Sequence, residues 1–402
     1  MDLQSGKFYW PTTITNKPSY PRLEEDVTCD VLIIGGGSSG AQCAYYLSEG
    51  DLDIIVVDKR EIGSGSTTTN TALIQYSGDK MFFELCQTFG EERSTRHLKL
   101  CQKAINEIEV AAKKLPTDCH FMRRDSLYFA SSSDDVEKIE KEFQLLKKHG
   151  FQVEFFNEEK VGLHYPFRAP AAIYSLNDAE LNPLAFNYGL LEKAKANGVR
   201  IYEHTEVIRK KYEDDGTVHF FTTDQRSITA KKIIYAAGYE NLEINKEKNA
   251  AVTSSYAIVT QPLKEFWYNR TLIWETARPY FYMRTTHDDR VIFGGLDETT
   301  EFVDRRDSMI LNKRDQLVQE FNKLFPNIEI EAEYYLGAFY GGTHDGMPIL
   351  GIYDEYPHSY FLYGYGDNGT VYSMVLAKII RDLIVTGKNE DLDLYIQTRR
   401  LR

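Results

Sequence analysis

A short apolar run, Cys29-Asp-Val-Leu-Ile-Ile-Gly35, passes straight into Gly-Gly-Ser-Ser-Gly40, and this junction limits the possible folds more than any other segment. The run is short and continuously apolar, so it reads as a strand buried on both faces, as in the middle of a parallel sheet. Gly35, Gly37 and Gly40 fit the pattern GxGxxG. The first glycine makes a tight turn, the second lets backbone approach a pyrophosphate, and the third lets a helix pack closely on the strand. Small residues from Ser38 predict that helix to run to Leu47, with Gly50 as its terminal cap. Ile54 to Val57 reads as the next strand. Asp58 ends it 18 positions after Gly40, where a carboxylate is expected to hold ribose hydroxyls. The strand, helix and strand form a unit for binding a dinucleotide, with its diphosphate at the helix N-terminus beside Ser39.

At 402 residues the chain is too long for one ordinary domain, so two lobes are expected. Its net charge of -13 excludes nucleic acid and anionic lipid surfaces as main partners. No apolar run is long enough to span a bilayer. The opening MDLQSGKFYWPTT lacks the basic-then-apolar order of a signal peptide, so a cytoplasmic location is expected. Five cysteines, widely spaced and without CxxC, suggest reduced structural thiols and no disulfide framework; no metal site is expected.

Beyond the first unit, residues 82–115 read as helical, 125–130 as a strand, 135–149 as a charged amphipathic helix and 152–156 as a strand. Leu181-Asn-Pro183 begins a helix through Ala196, and strands follow at 199–202 and 218–222. Lys232 to Gly238 reads as another buried strand, running into a glycine turn at Ala237-Gly238 of the kind that borders a nucleotide. Residues 253–295 are strand-rich and aromatic, which favours an antiparallel sheet with a pocket face. A last helix is predicted from Thr370 to Ile384, capped by Gly387.

The glycine pattern alone does not separate FAD from NAD, because both share adenosine diphosphate. Two other segments favour a flavin. Directly after Asp58-Lys59-Arg60 comes Gly63-Ser-Gly-Ser66-Thr67-Thr-Thr-Asn70-Thr71, dense in hydroxyls and free amides, which suits a second contact with the diphosphate or an isoalloxazine edge. Gly366-Asp367-Asn368-Gly369-Thr370 sets a second helix N-terminus where it would stabilise negative charge developing on the flavin N1/C2=O side.

These segments, together with Tyr235-Ala-Ala-Gly238, Thr343-His-Asp-Gly-Met-Pro348 and Gly364-Tyr-Gly-Asp-Asn-Gly369, occur in one order along nearly the whole chain. In this the chain resembles the D-amino-acid oxidase superfamily, including its glycine oxidase, sarcosine oxidase and γ-glutamylputrescine oxidase members. The Tyr20-Pro-Arg-Leu23 arm is similar to that of the last group. The resemblance implies an α/β fold with a Rossmann-type FAD-binding domain and an α+β substrate domain built on a discontinuous antiparallel sheet. It implies an arm over 1–27, an FAD-binding domain from 28–100, 180–250 and 335–402, and a substrate domain from 101–179 and 251–334. It further implies that Val207 flanks the adenine through its backbone and that Thr67 touches the diphosphate. The family reaction it implies moves a hydride from the carbon beside nitrogen to flavin N5, yielding an imine. Oxygen or another electron acceptor completes the cycle.

Three positions depart from the family pattern. Ala338 stands where sarcosine oxidases carry a cysteine bound to the flavin, two residues before the active-site tyrosine, here Tyr340; noncovalent FAD is expected. Ile292 aligns with the lysine that activates oxygen, and Gln75 with a substrate-side arginine, which opens a dehydrogenase reading beside the oxidase one.

For the substrate, the alternation in Arg278-Pro-Tyr-Phe-Tyr-Met-Arg284 places Arg278, Tyr280, Tyr282 and Arg284 on one strand face. An arginine there would grip a carboxylate and the tyrosines would orient an amine. Tyr256, Tyr282, Arg284 and Tyr340 are the candidate catalytic residues. His344 and Asp345, adjacent in a strand, read as structural. The expected activity is oxidation of the C–N bond of a small amine or amino acid. Two rivals stay open: FAD-dependent oxidation of a hydroxy compound, as in glycerol-3-phosphate dehydrogenase, and a noncatalytic electron-transfer flavoprotein.

Overall fold

The structure is a computed structural model that describes residues 1–402. Two sheets organise it. In the first, Ser359–Tyr363, Ser227–Tyr235, Val27–Ile34, Ile54–Val57 and Arg200–Tyr202 lie side by side in that order, each parallel to the next. Val27–Ile34 is therefore central. Its Val31 and Ile33 face a core shared with the helices, while Leu32 and Ile34 face a second core with Val218, Phe220 and Ile228. Burial on both faces explains why the strand shows no polar alternation. The helix Ser38–Leu47 packs between Pro183–Ala196 and Gly369–Thr386 on one side of this sheet. An antiparallel meander of Val207–Tyr212, Val218–Thr222 and Ser227–Tyr235 extends the sheet.

The second sheet has ten strands and is antiparallel except where Leu272–Glu275 runs parallel to Met122–Phe129. Ala332–Thr343, Ala250–Thr260 and Val291–Glu298 are neighbours in that order, with Tyr282–Thr285 next. The α/β class and the pairing of a Rossmann-type sheet with an antiparallel one are as expected.

Several local readings change. The helix read over 82–115 is two helices, Phe82–Phe89 and Glu91–Ala112, because Gly90 sits at φ +84, ψ 156 and breaks the ladder. The first helix ends on Ser48, whose N–H donates to the Ala44 carbonyl, so Gly50 lies beyond the cap. Residues 335–343, read with the FAD-binding domain, belong to the Ala332–Thr343 strand, which pairs with Ala250–Thr260 in the second sheet. Gln4–Lys7 of the arm adds to the same strand from the other side. Conversely, the Glu91–Ala112 helix packs on Gly369–Thr386 and sits with the first sheet. No helix is long and apolar enough to cross a membrane.

Candidate active site

One extended cavity runs from the parallel sheet to the antiparallel one. At its first end the strand Val27–Ile34 turns at Gly35, held at φ +109, where a side chain would strike the Ala236 carbonyl oxygen at 2.4 Å. A side chain at Gly40 would meet the Gly35 carbonyl oxygen at 1.8 Å, so helix and strand touch only because this residue has none. Gly37 lines the cavity, and a Cβ there would meet only the Thr67 hydroxyl at 3.2 Å, otherwise projecting into the space a ligand would fill. The tight turn at Gly35 and the close helix-on-strand packing at Gly40, inferred from spacing, are both present in the backbone.

Both helices that point at the cavity begin without a side-chain cap: Ser38–Leu47 on Gly37 and Gly369–Thr386 on Asn368. Apart from the Ser38 amide, which Thr67 takes, the amides left free of a cap side chain and the helix dipole make each start an anion-binding terminus. The two starts are tied together, since Ser39 Oγ and Ser373 Oγ lie 2.8 Å apart. Thr67 Oγ1 accepts from the Ser38 amide at 3.0 Å, and Asn70 Nδ2 donates to Thr370 Oγ1 at 3.1 Å. Asp58 accepts from the Gly36 amide at 2.9 Å through one oxygen and from the Arg60 amide at 2.9 Å through the other. Burial raises its pKa against those two amides. Lys59 and Arg60 are drawn to Glu240, at 3.0 and 2.6 Å.

Of the expected cofactor residues, Gly35, Gly37, Ser39, Asp58, Lys59, Ser66, Thr67, Asn70, Thr71, Val207, Ala237, Gly238, Gly366, Asp367 and Gly369 all line this cavity. Gly40, Asn368 and Thr370 do not. Gly40 is buried under the turn, Asn368 donates from Nδ2 to the Ser77 carbonyl, and Thr370 acts through Asn70. The uncapped helix starts, the open face at Gly37 and the carboxylate at the end of the second strand fit a flavin dinucleotide.

The other end is walled by Tyr239, Tyr280, Tyr282, Tyr340, Tyr365 and Trp274. Tyr340 donates to Asp79 Oδ2 at 2.5 Å and Tyr280 to Asp79 Oδ1 at 3.2 Å, so one carboxylate behind the wall aims two phenols. Gly294 makes room for the Tyr282 ring, which a Cβ there would hit at 2.3 Å, and Gly341 does so for Tyr239 at 2.5 Å. Asp297 and Asp367 also line the wall. Burial pushes Asp297 up to about 6, with Asp79 adding to the effect and Ser255 opposing it. Burial and then Asp79 hold Asp367 well above the carboxylate range.

Two of the four catalytic candidates change character. Arg284 is 1% exposed and outside the cavity. Its Nε donates to the Thr71 carbonyl at 2.5 Å, Nη1 to Thr285 at 3.0 Å and Nη2 to Leu181 at 2.8 Å, with Glu180 3.8 Å away. Its donors are spent on backbone, so it is not free to hold a substrate carboxylate. Arg278 is likewise occupied, by the carbonyls of Asp79, Glu275, Thr276 and Ala277. Tyr256 borders the cavity, but its hydroxyl points away to the Arg306 carbonyl at 3.4 Å. Tyr282 and Tyr340 remain on the wall. Ala338 lines the cavity too, whereas Ile292 packs in the core away from it. Asp345 pairs with Arg399 at 2.6 Å, giving the His344-Asp345 step the structural role expected of it.

Asp79, Asp297 and Tyr239 escaped the sequence reading. Asp297 follows Gly294-Gly295, a pair that breaks the strand pattern and marks close packing. Nothing local distinguishes Asp79.

The model of the FAD dependent oxidoreductase family DAO matches residues 30–383. Among curated relatives, a Bacillus subtilis protein named for a Rieske 2Fe-2S iron-sulfur centre is 25% identical over 98% of this chain and 76% of its own. The γ-glutamylputrescine oxidoreductase of Escherichia coli is 22% identical over 96% of this chain and 90% of its own. Among solved structures, glycine oxidase from Geobacillus kaustophilus superposes with a TM-score of 0.78 at 18% identity, covering 93% of this chain and 99% of that one. L-Proline dehydrogenase from P. horikoshii gives 0.77 at 19%, covering 94% and 98%. With the family model spanning most of its length, the chain belongs to the DAO family of FAD-dependent oxidoreductases, and its cofactor is FAD.

Proposed function

We propose that this enzyme oxidises the C–N bond of a small amine or amino acid to an imine. The observation that carries the reading is the continuity of one cavity between the glycine turn and the tyrosine wall. Bound there, FAD would accept the hydride from the carbon beside nitrogen. In this reading Gly35, Gly37, Ser39, Ser66 and Thr67 hold the diphosphate and Asp58, with Lys59 adjacent, the adenosine ribose. Val207, Ala237 and Gly238 border the adenosine side, while Asn70, Thr71, Gly366, Asp367 and Gly369 border the flavin ring. Tyr282 and Tyr340 orient the amine and exclude water, Tyr256 closes the wall, and Arg284 is a structural brace.

The FAD-binding lobe is proposed to comprise 28–112, 180–249 and 344–402, and the substrate lobe the remainder with the arm. A cytosolic enzyme with free thiols is the matching cellular reading. Ala338 offers the flavin a methyl group and no sulfur, so the cofactor is held noncovalently. Acid precipitation should leave yellow FAD in the supernatant, and flavin retained in the pellet would contradict this.

Oxidation of a hydroxy compound bearing phosphate fits less well, because no lysine or arginine lines the tyrosine end to receive the anion. Turnover with an artificial electron acceptor decides between the two. Release of ammonia or a primary amine from amine substrates supports the proposal. Turnover of glycerol phosphate or hydroxy acids without any from amines would refute it.

A further inference from the structure

The tyrosine end of the cavity carries carboxyl groups and phenols and no lysine or arginine. Tyr340 and Tyr280 each spend their only hydroxyl proton on Asp79, at 2.5 and 3.2 Å, so toward the cavity each phenol oxygen presents lone pairs. Asp297 and Asp367 line the same end, and the Oδ1 of each is shut off from solvent without a hydrogen-bond partner. Gln75, only 6% exposed, lines the wall as well, and its Nε2 has no partner.

Three nearby cations are engaged elsewhere, and Lys80, beside Asp79, does not line the cavity. Arg284 and Arg278 donate to backbone carbonyls, and Lys313 donates to the Leu296 carbonyl at 3.0 Å and to Glu298 at 2.6 Å. The four that do line the cavity, Lys59, Arg60, Arg209 and Lys210, follow Asp58 or sit on the Val207–Tyr212 strand, at the dinucleotide end. A carboxylate brought to the tyrosine wall would meet carboxyl groups and lone pairs with no guanidinium. An ammonium would bring donors to unpartnered acceptors and a positive charge to aromatic faces.

We infer that the substrate is a cationic amine with no carboxylate on the carbon that bears the nitrogen, its ammonium received by Asp297 and the phenol oxygens of Tyr280 and Tyr340. The inference rests on the C–N oxidation proposed above. The ammonium passes one proton to a carboxylate, leaving R–CH2–NH2. The C–H bond then breaks with its electron pair passing to FAD, the two-electron oxidant, and R–CH=NH2+ forms. Water adds to that imine and releases the aldehyde and ammonium. Burial raises the pKa of Asp297 to about 6, which suits it to exchange a proton with an amine.

Two ligands of one shape test it without turnover. Tert-butylammonium and pivalate differ only in the ionic group, and neither has a hydrogen on the central carbon to lose. Added to the holoenzyme, tert-butylammonium should perturb the flavin visible spectrum saturably and pivalate should not. Asp297→Asn should weaken the ammonium roughly tenfold or more, the loss expected of a charge-assisted hydrogen bond. Pivalate binding as tightly as the ammonium, or neither ligand perturbing the flavin, would overturn the inference. A matched substrate pair separates its failure from that of the broader reading. Faster anaerobic bleaching by 2-aminobutyrate than by propylamine would overturn the cationic-amine assignment and leave C–N oxidation standing. Bleaching by hydroxy compounds alone would remove the reading on which it rests.

Discussion

The two ends of the cavity are built by different means. At the dinucleotide end the work is done by backbone: the turn at Gly35, the approach at Gly37, the contact of Gly40 with Gly35, and two uncapped helix starts joined through Ser39 and Ser373. At the tyrosine end it is done by side chains drawn from segments far apart in the chain, with Tyr280 and Tyr340 meeting at Asp79. Backbone chemistry depends on glycine at fixed spacing, which a sequence displays directly. Side-chain constellations depend on tertiary placement, which it does not. The first end is therefore expected to be intolerant of any side chain at its glycines, and the second tunable by single polar substitutions.

The largest effects should fall on the glycines. Gly40→Val drives methyl groups into the Gly35 carbonyl and should cost about 3 kcal/mol or more, read as loss of soluble folded protein. Gly37→Val has room within the fold but fills the diphosphate space. It should give folded protein by circular dichroism with flavin content below roughly a tenth of normal, since it blocks close backbone approach. A Gly37→Val protein with a full complement of FAD would break the contrast between the ends.

Asp79→Asn is the matching test at the other end. It should retain FAD, leave one of the two phenols without its acceptor, and lower kcat/KM by about ten- to a hundredfold, the range for losing charge-assisted hydrogen bonds at a site. Loss of flavin in this variant would show that the ends are not separable.

The pH dependence is smaller. The Asp297 carboxyl is raised to about 6, so it is largely neutral below that value and ionised above it. KM for a cationic amine should fall severalfold as pH rises through about 6, and Asp297→Asn should flatten that step. The linkage to stability runs the other way. With its folded pKa above the unfolded value, Asp297 favours the folded state most below the unfolded pKa, and that contribution is lost as pH rises through about 6. Asp297→Asn should accordingly raise the thermal midpoint at pH 8 more than at pH 5.

Arg284→Lys should have the least effect on substrate. Three carbonyls lose their aligned donors, so a stability loss of about 2 kcal/mol is expected while KM of the folded enzyme stays within about twofold. A large rise in KM would return Arg284 to the substrate site.

The same contrast explains what the sequence displayed. The βαβ unit, the Pro183–Ala196 helix with Asn182 as its cap, and the last helix ending on Gly387 at φ +78 were all legible, because caps and periodicity are local. The Val303–Leu324 helix went unread because its buried stripe mixes Ile310, Leu317 and Phe321 with Arg306 and Lys313, which conceal the apolar period. The Ala171–Glu180 strand, buried on both faces for much of its length, shows no clean alternation. Arg284 looked like a ligand because alternation in a strand gives a face but not what covers it. Here Thr71 and Leu181 come from elsewhere in the chain to take its donors. Asp79 lies in a segment with no regular pattern, and only the fold brings it behind Tyr280 and Tyr340.

The most direct test of the central claim is anaerobic titration of the purified holoenzyme with a simple alkylamine while the flavin visible band is followed. The account predicts complete bleaching at one equivalent of amine per flavin, with an imine or its aldehyde formed in equal amount. A fully loaded flavoprotein whose spectrum neither amines nor amino acids bleach, although dithionite does, would contradict it.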